Sequence, residues 1–183
     1  MAEIKRFTKI FTIADYEEEK KWLENQHAKG WRLIKIMMPF FYTFEKTEPE
    51  NVIYQLEYKE ADITDDYLKM YEDYGWEFFG SYLGWNYFRK EAGAAADEND
   101  REIFSDAESK INMIDQVFKT RMIPLLTVFM AVMVPNFFGL DKLDFSPSEI
   151  VFTIIYLLLL ALYIWAIFHC AIKLSKMKKE LKK

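Results

Sequence analysis

The sequence predicts an α+β protein. A duplicated β-α-β-β unit gives about six strands in one sheet with two helices on one face, followed by an amphipathic helix and a two-helix transmembrane hairpin. Three observations carry this reading. Gly30-Trp31 and Gly75-Trp76 each close a helical segment and stand 45 residues apart. The stretches Met122–Leu140 and Ile150–Ile172 hold no charged residue over 19 and 23 positions. The charge is partitioned, at net −5 over residues 1–91 and +5 over residues 173–183.

Each element has its own local signal. Phe7, Lys9, Phe11 and Ile13 alternate, and at the same 45-residue offset they match Val52, Tyr54, Leu56 and Tyr58 as the opening strand of each half. Asp15, with Glu18 three residues later, reads as a capping box for the first helix. Trp22 and Leu23 mark its buried face. Lys29 favours the C-terminal dipole and Gly30 supplies a left-handed stop, while His27 reads as a structural residue of that helix end. Trp31, Leu33 and Ile36 carry the next strand, Pro39 breaks it, and Phe40–Lys46 returns as its hairpin partner. Thr47-Glu-Pro-Glu links the halves. Val52–Tyr58 opens the second half, Thr64 or Asp65 caps its helix, and Tyr67, Leu68 and Tyr71 share one face. Gly75 stops that helix, and Trp76–Tyr82 with Trp85–Lys90 form the last hairpin, turning at Leu83-Gly84. Two helices cover one sheet face, so the other face is aromatic and partly open, or covered by another subunit.

Residues 1–91 thus form the soluble unit. Residues 92–100, rich in Ala, Gly, Asp and Asn, read as a flexible linker. In 101–121 the stripe Ile103, Phe104, Ala107, Ile111, Ile114, Val117 and Phe118 marks an amphipathic juxtamembrane helix. The uncharged runs 122–140 and 150–172 span about 28 and about 34 Å as helices, against a hydrocarbon core of about 30 Å. Pro124 fits a first helical turn, Pro135 kinks or ends the helix, and Asn136 then needs a hydrogen-bond partner. Lys119 and Arg121 before the first run, and the basic tail 173–183 after the second, flank an acidic loop, 141–149. The positive-inside rule then places both termini and the soluble unit in the cytoplasm and the loop outside, in a multi-pass protein of the cytoplasmic membrane. The N-terminus has no signal-peptide core, and the single Cys170 excludes an internal disulfide.

The chemistry is sparse. There is no G-x-S-x-G, S-x-x-K, phosphate-loop or dinucleotide fingerprint. The two histidines, His27 and His169, do not make a metal site by spacing. The expectation is therefore a protein that is not an enzyme, with no cofactor and no metal, and its acidic balance argues against direct nucleic-acid binding. One set invites a function: Trp31, Tyr42, Tyr54, Trp76, Trp85 and Tyr87 recur at matching positions of the two halves. Two readings stay open. The rings are core, or they line a cleft between the halves in which Glu45, Glu57 or Glu77 holds the charge of a hydrophobic cation or a peptide.

The residues Asp15-Tyr-Glu-Glu-Glu-Lys-Lys-Trp-Leu, Gly30-Trp31, Tyr42-Thr-Phe-Glu-Lys, Tyr54-Gln-Leu-Glu-Tyr, Gly75-Trp76 and Trp85-Asn-Tyr-Phe-Arg-Lys resemble the bacterial domain-of-unknown-function family 2812 over about residues 5–91. The resemblance implies membrane proteins often encoded beside PadR-type transcriptional regulators, and hence a regulatory setting, but no activity. The outline of the repeat is also similar to gyrase-inhibitor-like modules that bind amphipathic small molecules, a likeness of fold alone. The expected function is a membrane-anchored cytosolic binding or sensing module. The alternative is a structural or interaction subunit of a membrane complex. Expected partners are the bilayer, an amphipathic small molecule or a protein, a second copy of the chain, and functionally a PadR-type regulator.

Overall fold

The computed structural model describes residues 3–37, 40–60, 63–96, 99–104, 106–139 and 146–182. Pro39, expected to break a strand, and the loop residues 141–145 lie outside them. The chain divides into two compact units, Met1–Met113 and Ile114–Lys183.

The first unit runs β1 (Ile4–Thr8), α1 (Tyr16–Ala28), β2 (Trp31–Met37), β3 (Phe41–Lys46), β4 (Val52–Tyr58), α2 (Asp65–Asp73), β5 (Glu77–Tyr82) and β6 (Trp85–Glu91). These strands form two three-stranded antiparallel sheets, ordered β1-β3-β2 and β4-β6-β5. The expected single sheet of six strands is corrected to two, and the expected placement of both helices on one face is corrected with it. Trp22 of α1 sets its ring edge-on to Phe7, Tyr42 and Phe44 of the first sheet. The other side of α1 meets the second sheet, where Tyr16 stacks on Trp85 with ring centroids 4.9 Å apart. Meanwhile Tyr67 and Tyr71 of α2 pack on Phe88, which points to the opposite face of that second sheet. So α1 lies between the sheets. A helix with two buried sides needs a partner on each, and one continuous sheet supplies only one.

The two halves share local chemistry. Each sheet places its third strand in the middle, and the register shifts between Leu33 and Lys35 and again between Phe78 and Gly80. Gly30 and Gly75 both end a helix with positive φ, +78° and +79°. The register of the opening strands departs from the expected 45-residue match. Phe7 pairs with Tyr42, and its counterpart opposite Asn86 is Glu57 rather than Val52. Every residue of β4 is buried. With both faces covered, its apolar side chains do not indicate which face meets the helix of its own half.

Of the two caps expected from the sequence, one forms. The Thr64 hydroxyl accepts from the Tyr67 N–H at 3.3 Å. The capping box expected at Asp15 and Glu18 does not form, because Asp15 Oδ2 turns back to the Thr12 N–H and hydroxyl at 2.8 and 2.6 Å. The expected free linker is also partly docked. Ala92, Ala95 and Ile103 pack on the cluster of Ile53, Trp76 and Phe88. Gln55 donates to the Arg101 carbonyl at 2.7 Å, and the buried Lys90 ammonium reaches Asp100 at 2.8 Å. A buried ammonium needs that counter-charge, and this ties the segment down.

The helix that begins at Ala107, later than the expected residue 101, starts in the last residues of the first unit and continues without a break through the second to Phe137. It comprises α3 (Ala107–Val117), α4 (Ile123–Val128) and α5 (Val134–Phe137), joined by π-helical turns at Phe118–Met122 and Phe129–Met133. Each wide turn lies just before a proline, Pro124 or Pro135, whose ring conflicts with the carbonyl one α-turn earlier. Asn136 finds its partner within the helix, donating to the Val132 carbonyl at 2.7 Å. The last helix, α6 (Pro147–Leu181), starts on a capping box of Ser146 and Glu149 and extends well into the expected basic tail. Lys178 pairs with Asp115, while the Tyr163 and Tyr156 hydroxyls donate to the Leu125 and Met133 carbonyls. Their order makes α6 antiparallel to the first long helix. Ile114, Val117, Met122, Cys170 and Leu174 are buried, whereas side chains such as Val128, Met130, Phe152 and Leu158 are exposed.

Candidate functional site

The most polar part of the interior of the first unit is the seam where α1 meets both sheets. Glu19 is buried, at 7% exposure. Its Oε1 accepts from Tyr42 of the first sheet and from Tyr87 of the second, each at 2.8 Å. One carboxylate oxygen therefore joins the two sheets. Burial raises its pKa above the ordinary carboxylate value, and the two phenol hydrogen bonds pull back only partly. Among the described residues no Lys, Arg or His pairs with it. Burial, and after it the nearby Glu19 charge, raises the Tyr82 pKa, and its hydroxyl is buried without a hydrogen-bond partner among the described residues.

Two turns along α1, His27 Nδ1 lies 3.0 Å from the Tyr54 hydroxyl. His27 is 3% exposed, and burial, followed by the Arg89 and Arg32 charges, lowers its pKa to about 4. It stands in the last turn of α1, as expected, and its side chain there is a neutral part of the seam. Between these two points Glu24 accepts from the Tyr54 backbone N–H at 3.1 Å.

Beyond His27 the seam opens into a cavity of about 330 Å³, lined among others by Arg32, Glu50, Glu77, Arg89, Lys90 and Glu91. Its cations are already matched. Arg89 Nε donates to Glu77 at 2.6 Å, Arg32 pairs with Glu45, and Lys90 pairs with Asp100. Arg89 holds the Glu77 carboxyl below the ordinary carboxylate range.

The residues singled out from the sequence are not gathered at one place. Tyr42 and Tyr87 meet at Glu19. Tyr54 and Trp85 lie on the same face of the second sheet as Tyr87, against α1. Trp76 belongs to the core under α2. Glu57 is on that side too, buried, with its pKa raised by burial and its Oε1 accepting from Tyr71 at 3.4 Å. Trp31 is half-buried, with the Lys46 ammonium 4.7 Å above its ring. Glu77 is an exposed partner of Arg89. The six rings thus serve two different faces of the second sheet and one of the first. Glu19, Tyr82 and His27 were missed as site residues. The signal was Glu19 four residues before Leu23, a carboxylate on the apolar side of its helix.

Over residues 15–126 the chain is similar to the family described as protein of unknown function (DUF2812). No curated protein matches it, and no solved structure does either. With more than half of its 183 residues matched, the chain belongs to the DUF2812 family.

Proposed function

We propose that the chain is a membrane-anchored cytosolic binding or sensing module with a regulatory role and no catalytic activity of its own. The observation that carries this reading is α6. It is 35 residues long, none of its most apolar window is buried, and side chains such as Phe152 and Leu158 are 71% and 66% exposed. Water does not tolerate so much apolar surface on one helix, whereas hydrocarbon does. The stretch Ala107–Phe137, which holds most of the uncharged run that starts at Met122, would be the first span of the hairpin. Lys119, Arg121, Lys173, Lys176, Lys178 and Lys179 then favour both termini inside. The shared strand order and shared bulge support descent of the two β-α-β-β halves from one unit. The partners of such a module are the bilayer and a small amphipathic molecule or a protein held at the seam, with a PadR-type regulator as a functional partner.

Alkaline carbonate washing of membranes from expressing cells tests the anchor. The chain should stay in the pellet, and protease added to intact cells should leave residues 1–91 uncut. Release into the wash, or trimming of that unit from outside, overturns the reading.

A second reading, a structural or interaction subunit, is favoured by a cavity of about 310 Å³ lined by Pro135, Asn136, Gly139, Glu149, Phe152, Thr153 and Tyr156. A partner helix, or one from a second copy, would pack there. Cross-linking in native membranes separates a hetero-complex from a homo-oligomer.

A further inference from the structure

The edge strands β2 and β5 of the two sheets flank a gap of about 190 Å³, lined by Ile34, Lys35, Ile36, Phe79, Gly80, Ser81, Tyr82 and Tyr87. The next strand inward on each side carries a Glu19 partner. Ile36 is paired with Tyr42 on β3, and Gly80 with Tyr87 on β6. Tyr87, which lines the gap, donates to Glu19, and Tyr42, one strand inward from Ile36, donates to the same oxygen, so Glu19 stands behind the Tyr87 ring rather than in the lining itself. Three things about it are unusual. Its two hydrogen bonds fall on one oxygen, Oε1, so Oε2 makes none among the described residues. It has no cationic partner among them, and Asp15 adds negative potential. Finally, Tyr82, which lines the gap, keeps a buried hydroxyl with no partner among them. A carboxylate buried among phenol rings either holds a proton or meets a cation, and aromatic faces attract cations. On the gap side, a Cβ at Gly80 would meet no atom within 4 Å, so the backbone leaves room for a small group.

We propose that the gap between β2 and β5 admits a small organic cation, an alkylammonium headgroup, whose flanks are covered by Tyr82 and Tyr87 and whose charge is balanced by Glu19 behind Tyr87. The two register shifts, at Ile34 and at Phe79, fall on the two strands facing the gap and keep it from closing into one sheet. Lys35 also lines the gap, and its charge opposes any cation there, so contact with the Tyr82 and Tyr87 rings has to outweigh it. This inference rests on the binding-module reading and gives it a ligand class.

The test uses the full chain in detergent. Tetramethylammonium and choline are titrated, with 3,3-dimethylbutan-1-ol as the uncharged counterpart of choline, and binding is read by calorimetry and by tyrosine fluorescence. The cations should bind and the alcohol should not. The variant Glu19→Gln keeps an acceptor for Tyr42 and Tyr87 but loses the charge, and should lower cation affinity by at least about tenfold. The variant Tyr82→Phe should lower it less. Near-UV circular dichroism of both variants should match the parent, which separates lost binding from lost fold. Equal affinity for the alcohol and choline, equal affinity in Glu19→Gln, or no cation binding by the folded parent overturns the proposal. Anchoring is read separately by carbonate extraction, so a membrane-held protein that ignores all three compounds sinks the ligand class and leaves the module reading standing.

Discussion

Glu19 and His27 sit two turns apart on α1 and pull stability in opposite directions with pH. The folded pKa of Glu19 lies above its unfolded value, as do those of Glu24 and Glu57. Their contribution is therefore full below the unfolded value and lost as pH rises through the folded one. His27 has its folded pKa lowered from 6.5 to about 4, so its contribution is full above 6.5 and lost as pH falls toward 4. For a side chain only 3% exposed this is on the order of 3 kcal/mol. Urea unfolding of the full chain between pH 4.5 and 8 checks both signs. In His27→Gln the loss of stability between pH 6.5 and 4.5 should shrink. In Glu19→Gln the chain should gain about 1 kcal/mol at pH 7.5, because an ionised carboxyl no longer has to be buried. A Glu19→Gln variant less stable at pH 7.5 than the parent would show that the ionised form is the one the seam is built for. As to legibility, Trp22 and Leu23 declared the buried face of α1 in the sequence, whereas the polar Glu19 and His27 did not. Their partners, Tyr42, Tyr54 and Tyr87, come from strands 23 to 68 residues away.

Among the elements, the helix stops and the last hairpin turn were readable because their demands are local. Gly30 and Gly75 have nearly the same φ but different neighbours. A Cβ at Gly30 would stand 2.7 Å from the Thr47 carbonyl oxygen, whereas at Gly75 its nearest atom is the flexible Lys90 Cε at 3.4 Å. Gly75→Ala should cost about 1 kcal/mol for the left-handed conformation alone, and Gly30→Ala about 2 or more. Equal shifts in the denaturation midpoint would show that the Thr47 contact does not matter. In the turn between β5 and β6, Leu83 and Gly84 both have positive φ, +49° and +81°. Leucine is poorly suited to that conformation, and Leu83→Asn should raise stability by about 0.5–1 kcal/mol in the same assay. The register of β4 was not readable, since a strand buried on both faces carries no alternation to align. The docking of Ala92, Ala95 and Ile103 was hidden for another reason. It depends on Lys90 and Gln55 finding partners at Asp100 and Arg101, and composition shows only a polar, small-residue run.

For the whole molecule, the anchoring reading predicts a response that a water-exposed helix would not give. Leu158 lies in the middle of the apolar part of α6 and is 66% exposed. Leu158→Arg should disfavour membrane insertion by about 2.5–3.5 kcal/mol and shift the chain from the carbonate-resistant pellet to the wash. An unchanged pellet fraction would mean that this face is not in hydrocarbon. The sequence by itself determined the classes of element, the charge-free lengths of the two apolar helices, the helix-ending glycines and the family. These follow from short-range periodicity, capping and composition, each visible within one or two turns of chain. Tertiary structure alone decided that the strands divide into two sheets, that α1 is shared between them, and that a lone carboxylate joins Tyr42 to Tyr87. Those features depend on which surfaces of each element can be buried together, and a polar side chain on an apolar face acquires its role only when a distant strand supplies the partner.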